Sequence, residues 1–108
     1  MKKTGIVRRL DDLGRIVIPK ELRIKFFGKP NILGRLVEIY LDKDSKIILN
    51  PYPKKTTENL KAFDDLGRVY INKEIRKAIF GSYDTGGKAI EFFTDKNKSI
   101  IMQPYPEE

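Results

Sequence analysis

Short alternations of apolar and polar residues, interrupted by Asp, Gly and Pro, run the length of this chain. The stretch Ile6 to Leu10 predicts a strand, and Asp11-Asp12-Leu13-Gly14 predicts a tight turn in which Gly14 supplies a positive φ. From Arg15 to Ile18 the pattern has period two. Ile16 and Ile18 share one face, and Arg15 and Val17 share the other. Pro19 follows, where a fixed φ and a missing N–H suit the first turn of a helix. Leu22 and Phe26, four apart, give that short helix one apolar stripe, and Gly28 closes it. Beyond a loop holding Pro30 and Gly34, the run from Val37 to Asp42 alternates again, with Val37, Ile39 and Leu41 pointing inward. Asp42-Lys43-Asp44-Ser45 then turns the chain into a last strand over Lys46 to Leu49.

The same pattern comes round a second time. Displaced by 53 positions the chain aligns with itself without a gap, and about 21 of 50 aligned positions are identical. Asp11-Asp12-Leu13-Gly14-Arg15 returns as Asp64-Asp65-Leu66-Gly67-Arg68, and Lys20-Glu21-Leu22-Arg23 as Lys73-Glu74-Ile75-Arg76. Phe27-Gly28, Ile47-Ile48 and Pro51-Tyr52-Pro53 return as Phe80-Gly81, Ile100-Ile101 and Pro104-Tyr105-Pro106. In the second copy Asn72, an acceptable N-cap, replaces Pro19, and Ile75 and Ile79 keep the stripe. Its last two strands are predicted over Ile90 to Asp95 and Ser99 to Met102. We read two tandem modules, 1–53 and 54–108, each running strand, strand, helix, strand, strand. Pro51 to about Thr57 reads as a short basic linker. One copy of four short strands leaves open edges, and open edges pair with something; the other copy in the same chain is the natural partner.

Composition narrows the chemistry. The 108 residues contain neither Cys nor His. Disulfides, thiolate nucleophiles, Cys/His zinc sites and Ser–His triads are excluded, and an enzyme is not expected. The N-terminus has no apolar run of the kind a signal peptide carries, and no segment approaches the roughly 20 apolar residues of a membrane span. A cytoplasmic protein without cofactor, metal or small-molecule ligand is the expectation. The formal net charge is +7. A basic surface of this kind is either simple solvation or an electrostatic footprint for phosphates. The charge is unevenly shared, about +6 on residues 1–53 and +1 on the remainder, so any phosphate footprint is expected to be weighted to the first module.

The run from Thr4 to Arg23, with Leu13-Gly14-Arg15-Ile16-Val17-Ile18-Pro19-Lys20-Glu21-Leu22-Arg23 at its heart, strongly resembles the start of the AbrB/MazE/SpoVT family of swapped-hairpin DNA-binding domains. Leu36 to Asp42 and Lys46 to Leu49 resemble the rest of that module, and the two copies, 4–53 and 57–106, cover nearly the whole chain. The resemblance implies a mainly β swapped-hairpin barrel with one short helix per module. It implies a bacterial transcription regulator, most simply a repressor, associated with the nucleoid and partnered by double-stranded DNA. It also implies DNA contact through Arg8, Arg15 and Arg23, matched in the second copy by Lys61, Arg68 and Arg76. A second basic residue common after the helix arginine is matched by Lys77, whereas Ile24 stands there in the first copy. Family antitoxins, which bind a toxin protein and their own operator, are the alternative. They carry a C-terminal extension to wrap the toxin, and here only Glu107-Glu108 follow Pro106.

Each candidate also has a plain reading. Arg15 and Arg68 could be solvated strand ends, but both copies keep them directly after the turn glycine, and Arg fits phosphate or guanine bidentately. Arg23 and Arg76 are expected on the helix face away from the apolar stripe, with Lys20 and Lys73 as weaker candidates beside them. Arg8 and Arg9 are adjacent on a strand and point to opposite faces, which leaves Arg9 the weaker of the two. Asp11-Asp12 and Asp64-Asp65 read as turn formers rather than carboxylate dyads. Tyr52 and Tyr105 could stack on bases, but more simply close the ends of the fold. Pairing of the modules within the chain, with further self-association open, completes the expectation.

Overall fold

In the computed structural model, which describes residues 1–53, 59–96 and 98–107, each half of the chain borrows a strand from the other. The elements run β1 (Lys2–Arg9), β2 (Arg15–Val17), α1 (Lys20–Phe27), β3 (Leu36–Leu41), β4 (Ile47–Asn50), β5 (Leu60–Ala62), β6 (Arg68–Tyr70), α2 (Lys73–Phe80), β7 (Ala89–Asp95) and β8 (Ser99–Pro104). Much of the linker read from the sequence, residues 54–58, lies outside the described residues. The fold is mainly β, with eight strands and two short helices among the described residues.

Six strands form one sheet in the order β1-β7-β8-β4-β3-β5, and β2 and β6 form a separate ribbon. The hairpins β3–β4 and β7–β8 meet edge to edge at the middle, with Ile48 opposite Ile101. The first strand of each half then pairs on the outside of the other half's hairpin. β1 lies along β7, with Arg8 opposite Ile90, while β5 lies along β3, with Lys61 opposite Val37. Backbone bonds around the turns add to the crossing. Ile18 N donates to Gly67 O and Ile71 N to Gly14 O, both at 2.9 Å.

The core follows the period-two pattern. Ile16, Ile18, Val37, Ile39, Val69, Ile71, Ile90 and Phe92 are all buried to within 1% exposure, drawing equally on both halves. Removing each such side chain from water stabilises the fold by roughly 1.5–3 kcal/mol. Leu22 and Phe26 from α1 and Ile75 from α2 pack on this core, and Ile79 and Phe80 flank it. Both helices end on a left-handed glycine whose N–H caps the last turn, Gly28 to Ile24 O and Gly81 to Lys77 O, each at 2.8 Å.

Three local expectations are corrected. β1 begins at Lys2 rather than Ile6, because its outer part pairs with Phe93 and Thr94. A register break between Lys3 and Val7, with Gly5 at φ 76°, lets it continue. Pro19 precedes the helix as its cap residue rather than opening its first turn. Asn72 occupies the same position before α2 with nearly the same backbone (ψ 142° against 141°), yet its side chain makes no capping bond. The position therefore demands the extended backbone that proline favours, more than a capping side chain.

Candidate nucleic-acid interface

The β2/β6 ribbon is a short antiparallel pair with Arg15 opposite Tyr70, Ile16 opposite Val69, and Val17 opposite Arg68. Ile16 and Val69 are buried, so period two turns Arg15, Val17, Arg68 and Tyr70 to the opposite face. Two arginines from different halves thus lie diagonally on one outward surface.

Each is held by the turn before it. Asp11 Oδ1 accepts from the N–H groups of Leu13 (3.0 Å) and Arg15 (2.8 Å), while its Oδ2 accepts from Arg15 Nε at 2.7 Å. Asp64 repeats this with Leu66 N (2.9 Å), Arg68 N (2.8 Å) and Arg68 Nε (2.6 Å). Burial works against ionising either carboxyl, but the hydrogen bonds from the following arginine and leucine, with the guanidinium charge, outweigh it. Both acids are held below their ordinary value. The pair therefore orients the arginine through Nε, and among the described residues its terminal nitrogens have no protein partner. Arg15 and Arg68 keep 33% and 25% of their side chains exposed. The leucines of the same turns are thrust outward, Leu13 65% and Leu66 59% exposed.

The helix arginines cross between halves. A methyl group on Gly14 would lie 2.6 Å from Arg76 Cζ, and one on Gly67 would lie 2.6 Å from Arg23 Cζ. Each guanidinium thus covers the turn glycine beside the other half's ribbon arginine. Arg76 departs from the solvated helix face expected for it and is only 7% exposed. It donates to Ile71 O (2.9 Å), Tyr83 O (3.1 Å), Thr85 Oγ1 (3.1 Å) and Tyr70 Oη (3.2 Å). Arg23 is half-buried and donates to Pro30 O at 2.8 Å. Its Nε is buried with no partner among the described residues; an unmet buried donor of this kind costs on the order of 1–3 kcal/mol.

The remaining candidates divide. Lys61 Nζ lies 5.9 Å from the Tyr70 ring centre and Arg76 Cζ 5.5 Å from it, so Tyr70 gathers two cations beside Arg15. Arg8 is exposed and bonds only its neighbour's carbonyl, Val7 O at 2.9 Å. Lys20 and Lys73 are exposed at the helix starts. Lys77 is drawn to Gly81 O (3.1 Å) and the Tyr83 ring (5.4 Å). Arg9 is committed elsewhere, bonding Gly87 O at 2.7 Å and Glu107 at 2.6 Å. Tyr52 donates its hydroxyl to Phe26 O at 2.8 Å, tying the end of the first half to α1. Tyr70 and Thr85 were not legible as site residues, because their counterparts Val17 and Ile32 break the repeat at those two positions.

Sequence comparison places this geometry among known proteins. Over 87 residues the chain is 41% identical to the transition state regulatory protein AbrB of Bacillus subtilis, a match spanning 68% of this chain and 80% of that protein. It is 52% identical over 52 residues to stage V sporulation protein T of the same organism, covering 48% of this chain and 28% of that protein. It is 44% identical over 52 residues to the putative transition state regulator Abh, covering 48% of this chain and 52% of that protein. No family model matches, and no solved structure gives a significant match. With most of AbrB aligned at this identity, the chain belongs to the AbrB/SpoVT family.

Proposed function

We propose that this protein is a DNA-binding transcription regulator, acting as a repressor, that grips duplex DNA with the outward face of the β2/β6 ribbon. The observation that carries the reading is the pair of aspartate-braced arginines, Arg15 and Arg68, set diagonally on that face with their terminal nitrogens unengaged among the described residues. Arginine braced at Nε keeps a fork of donors for a phosphate or for guanine O6 and N7. The B-DNA major groove, about 12 Å wide, admits a two-stranded ribbon. Arg8, Lys61, Lys20, Lys73 and Lys77 supply surrounding charge for phosphates, a role that fixes register and carries little sequence information. Arg23 and Arg76 lie against the turn glycines Gly67 and Gly14, next to Arg68 and Arg15. Two relatives named as transition state regulators support regulation as the biological role.

In this reading residues 1–53 and 54–108 are two modules that pair within one chain, since tethering keeps the partner at high effective concentration. Light scattering is then expected to give a monomer of 12.5 kDa. Among the described residues no helix is long and apolar enough to cross a membrane, and the working compartment we assign is the nucleoid-bearing cytoplasm.

The test is titration with duplex DNA at several salt concentrations. Log K should fall linearly with log salt at roughly 0.9 per neutralised phosphate. Affinity that is absent, or indifferent to salt between about 50 and 200 mM, contradicts the reading.

A further inference from the structure

Two positions at which the halves differ both bear on the same arginine. Tyr70 stands where the first half has Val17, and Thr85 where it has Ile32. Each brings a hydroxyl to Arg76: Tyr70 Oη at 3.2 Å and Thr85 Oγ1 at 3.1 Å. Valine and isoleucine bring no acceptor to Arg23. The consequences extend to the backbone bonds. Arg76 Nε reaches Ile71 O at 2.9 Å, whereas Arg23 Nε is buried and unpartnered among the described residues. Both arginines keep the one bond to the following loop, Arg76 to Tyr83 O and Arg23 to Pro30 O. Among the described residues Arg76 thus has four acceptors and a ring beneath it, and Arg23 has one acceptor.

We propose that the two helix arginines have separate roles, Arg76 being a fixed clamp between the halves and Arg23 a mobile arm that reaches duplex DNA, so that the chain recognises a non-palindromic site. The inference rests on the DNA-binding reading above and deepens it. Leaving its resting place costs Arg23 one hydrogen bond and frees an unsatisfied donor, while Arg76 would forfeit four bonds and strip the Tyr70 hydroxyl and Thr85 of their donor. Arg23 rests against Gly67, next to Arg68, so the mobile arm adds a second arginine fork at the Arg68 end of the ribbon. The Arg15 end presents Tyr70 instead, 38% exposed and opposite Arg15 in the ribbon, where the other end presents Val17 opposite Arg68. A phenol and an aliphatic side chain make different contacts with base edges, and a mobile guanidinium differs from a clamped one. The two halves are therefore matched to unlike half-sites.

Selection from a duplex library with a randomised core of about 20 base pairs reads this out, because a half-site spacing of one helical turn fits within it. The natural chain is expected to enrich a non-palindromic motif. The double variant Tyr70→Val with Thr85→Ile gives Arg76 the surroundings of Arg23 and is expected to enrich a more twofold-symmetric one; Tyr70→Phe, which removes only the hydroxyl, is the milder version should the double variant not fold. In parallel, Arg76→Ala should lower Tm by several degrees, whereas Arg23→Ala should leave Tm within about a degree and weaken binding tenfold or more. A palindromic motif from the natural chain overturns the proposal, as do equal losses of Tm and of affinity in the two arginine variants. No salt-dependent retention of any library DNA overturns the DNA-binding reading and the Arg23 contact with it, while the Tm comparison still decides the clamp.

Discussion

Arg76 lies directly over Gly14, so close that a methyl group on the glycine would sit 2.6 Å from the guanidinium carbon. The glycine belongs to the turn of one half and the arginine to the helix of the other. That contact joins the two halves at the base of the ribbon that carries Arg15. Gly14 is thus required twice over, by its φ of 89° and by the side chain that covers it.

Gly14→Ala should therefore be costly. A left-handed conformation costs a non-glycine residue about 1–2 kcal/mol, and displacing a guanidinium held by four acceptors adds to it. A loss of about 3 kcal/mol, or more than 10 °C in Tm for a chain of this size, is expected by thermal melting. Gly67→Ala meets the same φ cost, but Arg23 above it has one bond to give up, so its loss should be the smaller. Equal losses at the two glycines would contradict the difference between the arginines.

Acid sensitivity should trace to Asp11 and Asp64. Burial raises their pKa, but the bonds from Arg15 and Leu13, and from Arg68 and Leu66, lower it further, leaving both below the ordinary 3.8. A carboxyl depressed in the folded state contributes stability that is present above its unfolded pKa and is lost as pH falls through the folded one. The natural chain should hold its urea midpoint down to about pH 4 from this source and lose stability below it. Asp11→Asn with Asp64→Asn should be less stable at pH 7 and should show a shallower fall in acid. Parallel curves for the two proteins would remove the braces from the account.

Much of this was legible because alternation and turn chemistry are local. Ile16 and Ile18 against Arg15 and Val17 assigned the faces of β2, and the Asp-Asp-Leu-Gly turn gave Gly14 its positive φ. The repeat gave the second half its elements by analogy. What stayed hidden depends on neighbours distant in the chain. Arg76 looked like a surface residue on its own helix, and only the approach of Gly14, Tyr70 and Thr85 makes it buried. The outer part of β1, Lys2 to Gly5, carries no apolar alternation, and only its pairing with Phe93 and Thr94 makes it a strand. Arg9 reads as the weaker candidate from its strand face alone, and the fold commits it to Gly87 and Glu107.

The Tyr52 hydroxyl supports the first half from its far end. It bonds Phe26 O at 2.8 Å, near the C-terminus of α1 where carbonyls lack helical partners. Tyr52→Phe keeps the ring and removes that bond, and a loss of about 1 kcal/mol is expected by urea denaturation. The ring's half-exposed position makes a larger effect unexpected, and a loss above about 2 kcal/mol would mean that the hydroxyl holds more than this one carbonyl.

The role of the ribbon rests finally on one comparison, the salt dependence of duplex binding for the natural chain and for Arg15→Ala with Arg68→Ala. The double variant should still fold, with Tm lowered only by the loss of the two Asp–Arg side-chain braces. The double variant is then expected to bind at least tenfold more weakly at fixed salt, with the slope of log K against log salt reduced by roughly 0.9 for each phosphate the pair neutralises. Unchanged affinity and slope in a folded double variant would show that the ribbon arginines do not meet DNA.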